Sequence, residues 1–164
     1  MDFHEGDPVM HWTHGLGQIM GLEERILSGS KMLYYAVKIH NDITIWVPAD
    51  GKLETRLRRP TPQSAFKRLL AILSSPGEKL PDDRFERRKR LLDLLRDGKA
   101  ESLCRVIRGL FDYRQKRSLN DYDHVLLKQT QNALLGEWGF VLAITTGQAE
   151  TEMHRLLSSG SAGD

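Results

Sequence analysis

The spacing of apolar residues in this chain changes once, at Pro60-Thr61-Pro62, and that change constrains the fold more than any other feature. Before it, apolar residues recur with period 2. From Lys31 to His40, Leu33, Tyr35, Val37 and Ile39 alternate with Met32, Tyr34, Ala36 and Lys38. Alternation places successive side chains on opposite faces of a strand. Pro8–Trp12, Gly17–Ile26 and Ile43–Val47 read as further strands, the last closed by Pro48. Gly15 and Gly17 read as turn glycines between the first two. Leu27-Ser28-Gly29-Ser30 and Asn41-Asp42 supply the other turns. Short strands joined in this way predict a small, curled antiparallel barrel.

After the prolines the period becomes helical. Ala65, Phe66, Leu69, Leu70 and Leu73 mark a first helix, stopped at Pro76-Gly77. A second starts at Asp83, where Asp83 and Glu86 have capping-box spacing, and carries Leu91, Leu92, Leu94 and Leu95. A third holds Leu103, Val106, Ile107, Leu110 and Phe111, and a fourth, capped at Ser118, runs through Leu126, Leu127, Ala133, Leu134 and Trp138. Glu150–Leu157 is a short amphipathic piece before a Ser/Gly tail expected to be disordered. The fold class expected is α+β with the two kinds of structure segregated. Residues 1–57 form the β module, 62–158 the helical domain and 159–164 the tail.

Charge is distributed unevenly over these parts. Residues 1–60 hold seven Lys/Arg against eight Asp/Glu, whereas 84–117 hold twelve against five. The stretch Asp82-Asp83-Arg84-Phe85-Glu86-Arg87-Arg88-Lys89-Arg90 concentrates cations near a helix start, where the helix dipole favours anions. Helix stability does not account for that placement; phosphate binding is the functional reading, and a solvated helix face is the alternative. Arg84, Arg87, Arg88, Lys89 and Arg90 are the candidate phosphate contacts, extended by Arg105, Arg108, Arg114, Lys116 and Arg117. Phe85, seven residues before Leu92, is expected in the core with Leu92 and Leu95. In the β module, alternation turns Ile43, Ile45 and Val47 inward and Thr44 and Trp46 outward. An exposed Trp on a strand is a candidate interface anchor, with Arg25 beside it.

Catalytic chemistry finds no constellation. His11 and His14 lack the cysteine or carboxylate that would complete a metal site. Phosphate-loop and dinucleotide motifs are absent. The single Cys104 reads as an inert helix-face thiol in a reducing compartment. No apolar run approaches a membrane span, and mean hydropathy is -0.44. The expectation is a cytoplasmic, non-enzymatic monomer without cofactor or metal.

Phe3-x-x-Gly6-Asp7-x-Val9 leading to His14-Gly15-x-Gly17, then Tyr34-x-x-Val37-Lys38-Ile39 and Ile45-x-Val47-Pro48, resemble the CarD/CdnL transcription-factor family. That family shares its N-terminal module with transcription-repair coupling factors. Ser75-Pro76, Pro81-x-Asp83, Arg87, Leu92, Leu95, Asp97-Gly98, Val106-x-Arg108-x-Leu110, Ser118-Leu119 and Leu135-Gly136-Glu137 extend the resemblance over nearly the whole chain. It implies a Tudor-like or SH3-like domain that binds the β subunit of bacterial RNA polymerase, partly by strand-edge pairing. It also implies a helical domain on promoter DNA at the upstream edge of the bubble. On the resemblance, Arg25, Ile43, Ile45 and Trp46 are the polymerase-binding candidates, Trp46 standing where the family has an arginine. The family's DNA wedge is a Trp at the position of Arg84, one before Phe85, and its later basic positions are kept as Arg87 and Lys89. The reading from another class is an adaptor whose helical domain binds an acidic protein and not DNA.

Overall fold

The computed structural model describes residues 2–160. The chain divides into two compact units, the first ending at Pro60 and the second beginning at Thr61.

The first unit is one antiparallel sheet. Its strands are β1 (Pro8–His11), β2 (Gly15–Leu27), β3 (Ser30–Ile39), β4 (Ile43–Pro48) and β5 (Leu57–Arg58), hydrogen-bonded in the order β4-β3-β2-β1-β5. Ser28 and Gly29 join β2 to β3 with φ of 53° and 79°, the left-handed pair that matches the twist of a two-residue hairpin. Met20 is an extra residue in β2, since Ile19 pairs with Val37 and Gly21 with Ala36. Such a bulge bends the strand and tightens its twist. Val47 of β4 and Leu57 of β5 lie at opposite ends of the strand order yet share one core with Phe3, Val9, Ile19, Tyr35, Val37 and Ile39. The sheet therefore curls as expected, but no ladder joins β4 to β5 among the described residues, and it is not a closed barrel. β5 was not legible in the sequence. Gly15 sits at the expected turn with φ of 75°. Gly17 does not: it lies within β2, where a Cβ would come within 2.8 Å of Val37 Cγ1. The expected inward Ile43 is instead 53% exposed, because it opens the strand at the rim.

The second unit packs α1 (Gln63–Leu69, continued by a 3-10 segment over Leu70–Ser74), α2 (Arg84–Leu95), α3 (Ala100–Lys116), α4 (Asp121–Leu142) and α5 (Thr146–Gly160). α3 supplies Val106, Ile107 and Leu110 to a core shared with Phe66, Leu73, Leu91, Leu134, Trp138, Met153 and Leu157. Arg108 is drawn into that core at 1% exposure. Its Nη1 donates to the carbonyls of Leu73 (2.7 Å) and Leu157 (2.8 Å), and the guanidinium pairs with Asp112.

Three sequence expectations are corrected here. α4 is capped by Asn120, whose side chain accepts from Asp123 N at 2.8 Å, and not by Ser118. α5 is longer than Glu150–Leu157: Thr145 and Gln148 bond each other's backbone N–H reciprocally at 2.9 and 3.1 Å, which starts the helix earlier. Ser158–Gly160 belong to α5, and the rest of the expected tail lies outside the described residues.

Candidate functional site

Two surfaces carry the candidate residues, one in each unit. In the sheet, β4 is an end strand, so one of its edges has no neighbouring strand among the described residues. Trp46 stands opposite the small Ala36 of β3 and is 41% exposed. Its indole reaches across β3 to β2, where Nε1 donates to Glu23 Oε2 at 3.0 Å. The Arg25 guanidinium lies 4.3 Å from the indole centroid and pairs with the same Glu23 oxygen at 3.5 Å. One carboxylate thus fixes both the ring and the cation stacked on it, leaving an outward aromatic plate that is already oriented. Ile45 is half-buried against the core, and exposed Ile43 continues the surface along the strand. Glu23 escaped sequence reasoning because β2 and β4 are not adjacent; only the register across β3 brings them together.

In the helical unit, Asp83 caps α2 as its type and place predict, accepting from Phe85 N and Glu86 N at 2.9 Å each. The phase of the helix differs from expectation. The inward stripe is Arg87, Leu91, Leu94 and Leu95, spaced i, i+4, i+7, i+8. Phe85 and Leu92 consequently face outward, and Phe85 is 67% exposed. The expected core placement of Phe85 is wrong, and the cause is the residue that took the inward position.

That residue is Arg87, 4% exposed. Its Nε and Nη2 meet Asp123 Oδ2 at 3.0 and 2.9 Å. Its Nη1 donates to the carbonyls of Pro81 (3.1 Å) and Asp82 (2.9 Å) and to Tyr113 Oη (3.2 Å). Arg87 therefore has no face to offer a phosphate and leaves the candidate set. It ties the segment before α2 to α3 and α4, holding the start of the helix in place. A buried charge is tolerable only when paired and hydrogen-bonded this fully.

The remaining α2 cations are exposed. Arg84 lies 4.8 Å from the Phe85 ring and Arg88 4.1 Å from that of Tyr122. Among the described residues no carboxylate pairs with Arg84, Arg88 or Lys89. Arg90 pairs with Glu78, which also lies 3.4 Å from Arg105. Arg117 lies 3.8 Å from Asp82. Arg108, expected on this surface, is in the core as described above. A guanidinium stacked on a ring keeps its N–H edge for an anion, so Arg84 on Phe85 and Arg88 on Tyr122 both keep donors for one.

The other singled-out residues have local structural roles. His11 Nδ1 accepts from the N–H groups of Thr13 and His14 at 3.2 Å each, shaping the β1–β2 turn. Burial, then the nearby His14, lowers the His11 pKa to about 4, so the acceptor nitrogen stays unprotonated at neutral pH. Burial pushes the Cys104 thiol up to about 12, which leaves almost no thiolate to react. Among the described residues no group of three or more metal-ligating side chains forms, and no helix is long and apolar enough to cross a membrane.

Residues 3–60 match the family model of the CarD-like/TRCF RID domain, and residues 68–154 that of the CarD C-terminal domain. The chain is also similar to the Bacillus subtilis (strain 168) protein named "Putative transcription factor YdeB". The two are 25% identical over 154 residues, which cover 91% of this chain and 98% of that protein.

Proposed function

This chain belongs to the CarD family of transcription regulators, and from that premise we propose that it bridges RNA polymerase and promoter DNA. The N-terminal sheet engages the polymerase β subunit through the Arg25–Trp46 plate and the β4 edge at Ile43 and Ile45. Added main-chain pairing at that edge gives affinity, and the plate gives specificity. The helical unit lies on the upstream edge of the bubble, with Arg84, Arg88, Lys89 and Arg90 on phosphates and Phe85 against an unstacked base. The protein acts as a monomer in the cytoplasm, on the nucleoid, and its effect is on open-complex stability, not on a chemical step.

The observation that carries this reading is the start of α2, where an exposed phenyl ring lies against the Arg84 guanidinium and where, among the described residues, no carboxylate pairs with Arg84, Arg88 or Lys89. Phosphate contacts of this kind are weak and indifferent to sequence. Tethering to polymerase compensates, because a module held near its target works at high effective concentration. Co-purification with RNA polymerase, followed by footprinting of promoter complexes, tests both halves. Retention on polymerase with protection at the upstream bubble edge is expected. Retention without protection would favour the adaptor reading, with an acidic protein in place of DNA. No retention would remove the polymerase.

A further inference from the structure

Glu78 lies between the 3-10 segment that ends at Ser74 and the start of α2, and it does something its neighbours do not. Its two carboxylate oxygens go to two guanidiniums on different helices: Oε2 to Arg90 of α2, and Oε1 to Arg105 of α3 at 3.4 Å. Both arginine side chains and the glutamate are about half exposed, at 50%, 48% and 45%.

The backbone on either side of Glu78 is pinned to α3. Gly77 N donates to Asp112 Oδ2 at 2.8 Å. A Cβ at Gly77 would come within 2.8 Å of that oxygen and 3.1 Å of Arg108 Cγ, so only glycine seats there. Leu80 is buried and packs against Gly109. Asp112 is itself held by the core residue Arg108. The Glu78 side chain can therefore swing away while its backbone stays put.

A carboxylate presents two oxygens sharing one negative charge. So does the phosphodiester group of a nucleic acid backbone. Arg90 and Arg105 already hold such a pair of oxygens, one guanidinium to each. We propose that Arg90 and Arg105 form a DNA-phosphate site that the Glu78 carboxylate occupies until a backbone phosphate displaces it. The proposal rests on the DNA reading above and extends it from α2 onto α3. Arg84, Arg88 and Lys89 make the first contacts, because among the described residues no carboxylate competes for them. The Arg90–Arg105 site opens only when DNA is already held close. An exposed ion pair is weak enough to yield to that competition, and Glu78 disfavours stray polyanions that reach the site alone.

Fluorescence anisotropy with a forked DNA duplex, followed through a salt titration, tests this on the full chain. Compared are the unsubstituted protein, Glu78→Gln, Glu78→Ala and Glu78→Gln combined with Arg105→Ala. Both Glu78 substitutions are expected to tighten binding at low salt by about two- to fivefold. They should also steepen the log–log salt dependence by about one. Adding Arg105→Ala should cancel the gain, since the two residues act as one unit. Circular dichroism melting confirms that each variant is folded, and the two Glu78 replacements must agree in sign. Fork binding by the unsubstituted chain with no tightening in either Glu78 variant would overturn the site while leaving the DNA reading in place. No fork binding by any variant at the lowest salt would overturn both.

Discussion

Each unit presents an arginine stacked on an outward aromatic ring, and the two treat that charge differently. In the sheet, Glu23 closes the Arg25–Trp46 pair into a neutralised, hydrogen-bonded plate. At the start of α2, the Arg84–Phe85 pair has no carboxylate partner among the described residues, and Arg88 and Lys89 add to the same sign. The first arrangement suits a protein partner, where shape and a fixed aromatic anchor decide affinity and salt matters little. The second suits a polyanion, where affinity comes from released counterions and falls steeply with salt. Beneath the second lies what the first lacks, a buried arginine that fixes the helix from behind.

The largest expected effect tests that buried support. Arg87→Ala leaves Asp123 buried beside carbonyls with its cation gone, and breaking a buried pair in this way costs about 3–5 kcal/mol. Urea unfolding followed by helical circular dichroism should show the helical unit lose that much, while co-purification through the sheet persists. Arg88→Ala, one residue on, should leave the unfolding curve within about 0.5 kcal/mol. Equal effects from the two would mean that Arg87 is not the fixed point of α2.

A smaller effect is expected at the sheet. Trp46→Ala removes the anchor and leaves Glu23 facing Arg25 alone. Interface aromatics of this kind contribute about 2 kcal/mol or more, so polymerase affinity should drop roughly thirtyfold. The drop should be nearly the same at low and high salt. A loss that vanishes at high salt would show that the sheet surface works by charge after all, and the contrast between the units would collapse.

These placements also show what the sequence could reveal. The switch of period at Pro60-Thr61-Pro62 marks the two kinds of structure because strand and helix impose different spacings on any buried face. The Asp83 cap is local, needing only the next three residues, and so was legible. β5 was not, because Leu57–Arg58 is too short to show alternation. The phase of α2 misled for a physical reason. Leu91, Leu92, Leu94 and Leu95 allow more than one inward stripe, and periodicity assigns arginine to the outside. Asp123, thirty-six residues away, supplies the opposite charge that an inward Arg87 needs. At the candidate sites the cations and Trp46 were visible as residue types. Their carboxylate partners, Glu23 and Glu78, depend on register and on loop path, which spacing alone does not encode.

The smallest effect on folding stability concerns Phe85, the residue whose placement changed most between sequence and structure. At 67% exposure it contributes little to the core, so Phe85→Ala should change unfolding stability by no more than about 0.5 kcal/mol. A core phenylalanine would have cost about 3–5 kcal/mol, which makes the two placements easy to tell apart. Stacking of an aromatic side chain on an unpaired base contributes about 1–3 kcal/mol. Phe85→Ala should therefore weaken binding to a fork with unpaired bases by about 5- to 150-fold, and spare a fully paired duplex of the same length. Equal loss on both substrates would make the ring a platform for Arg84, which lies 4.8 Å from it, and not a contact to a base. In that case the α2 surface would act through phosphates alone, and the contrast with the sheet would be one of charge without any aromatic contribution.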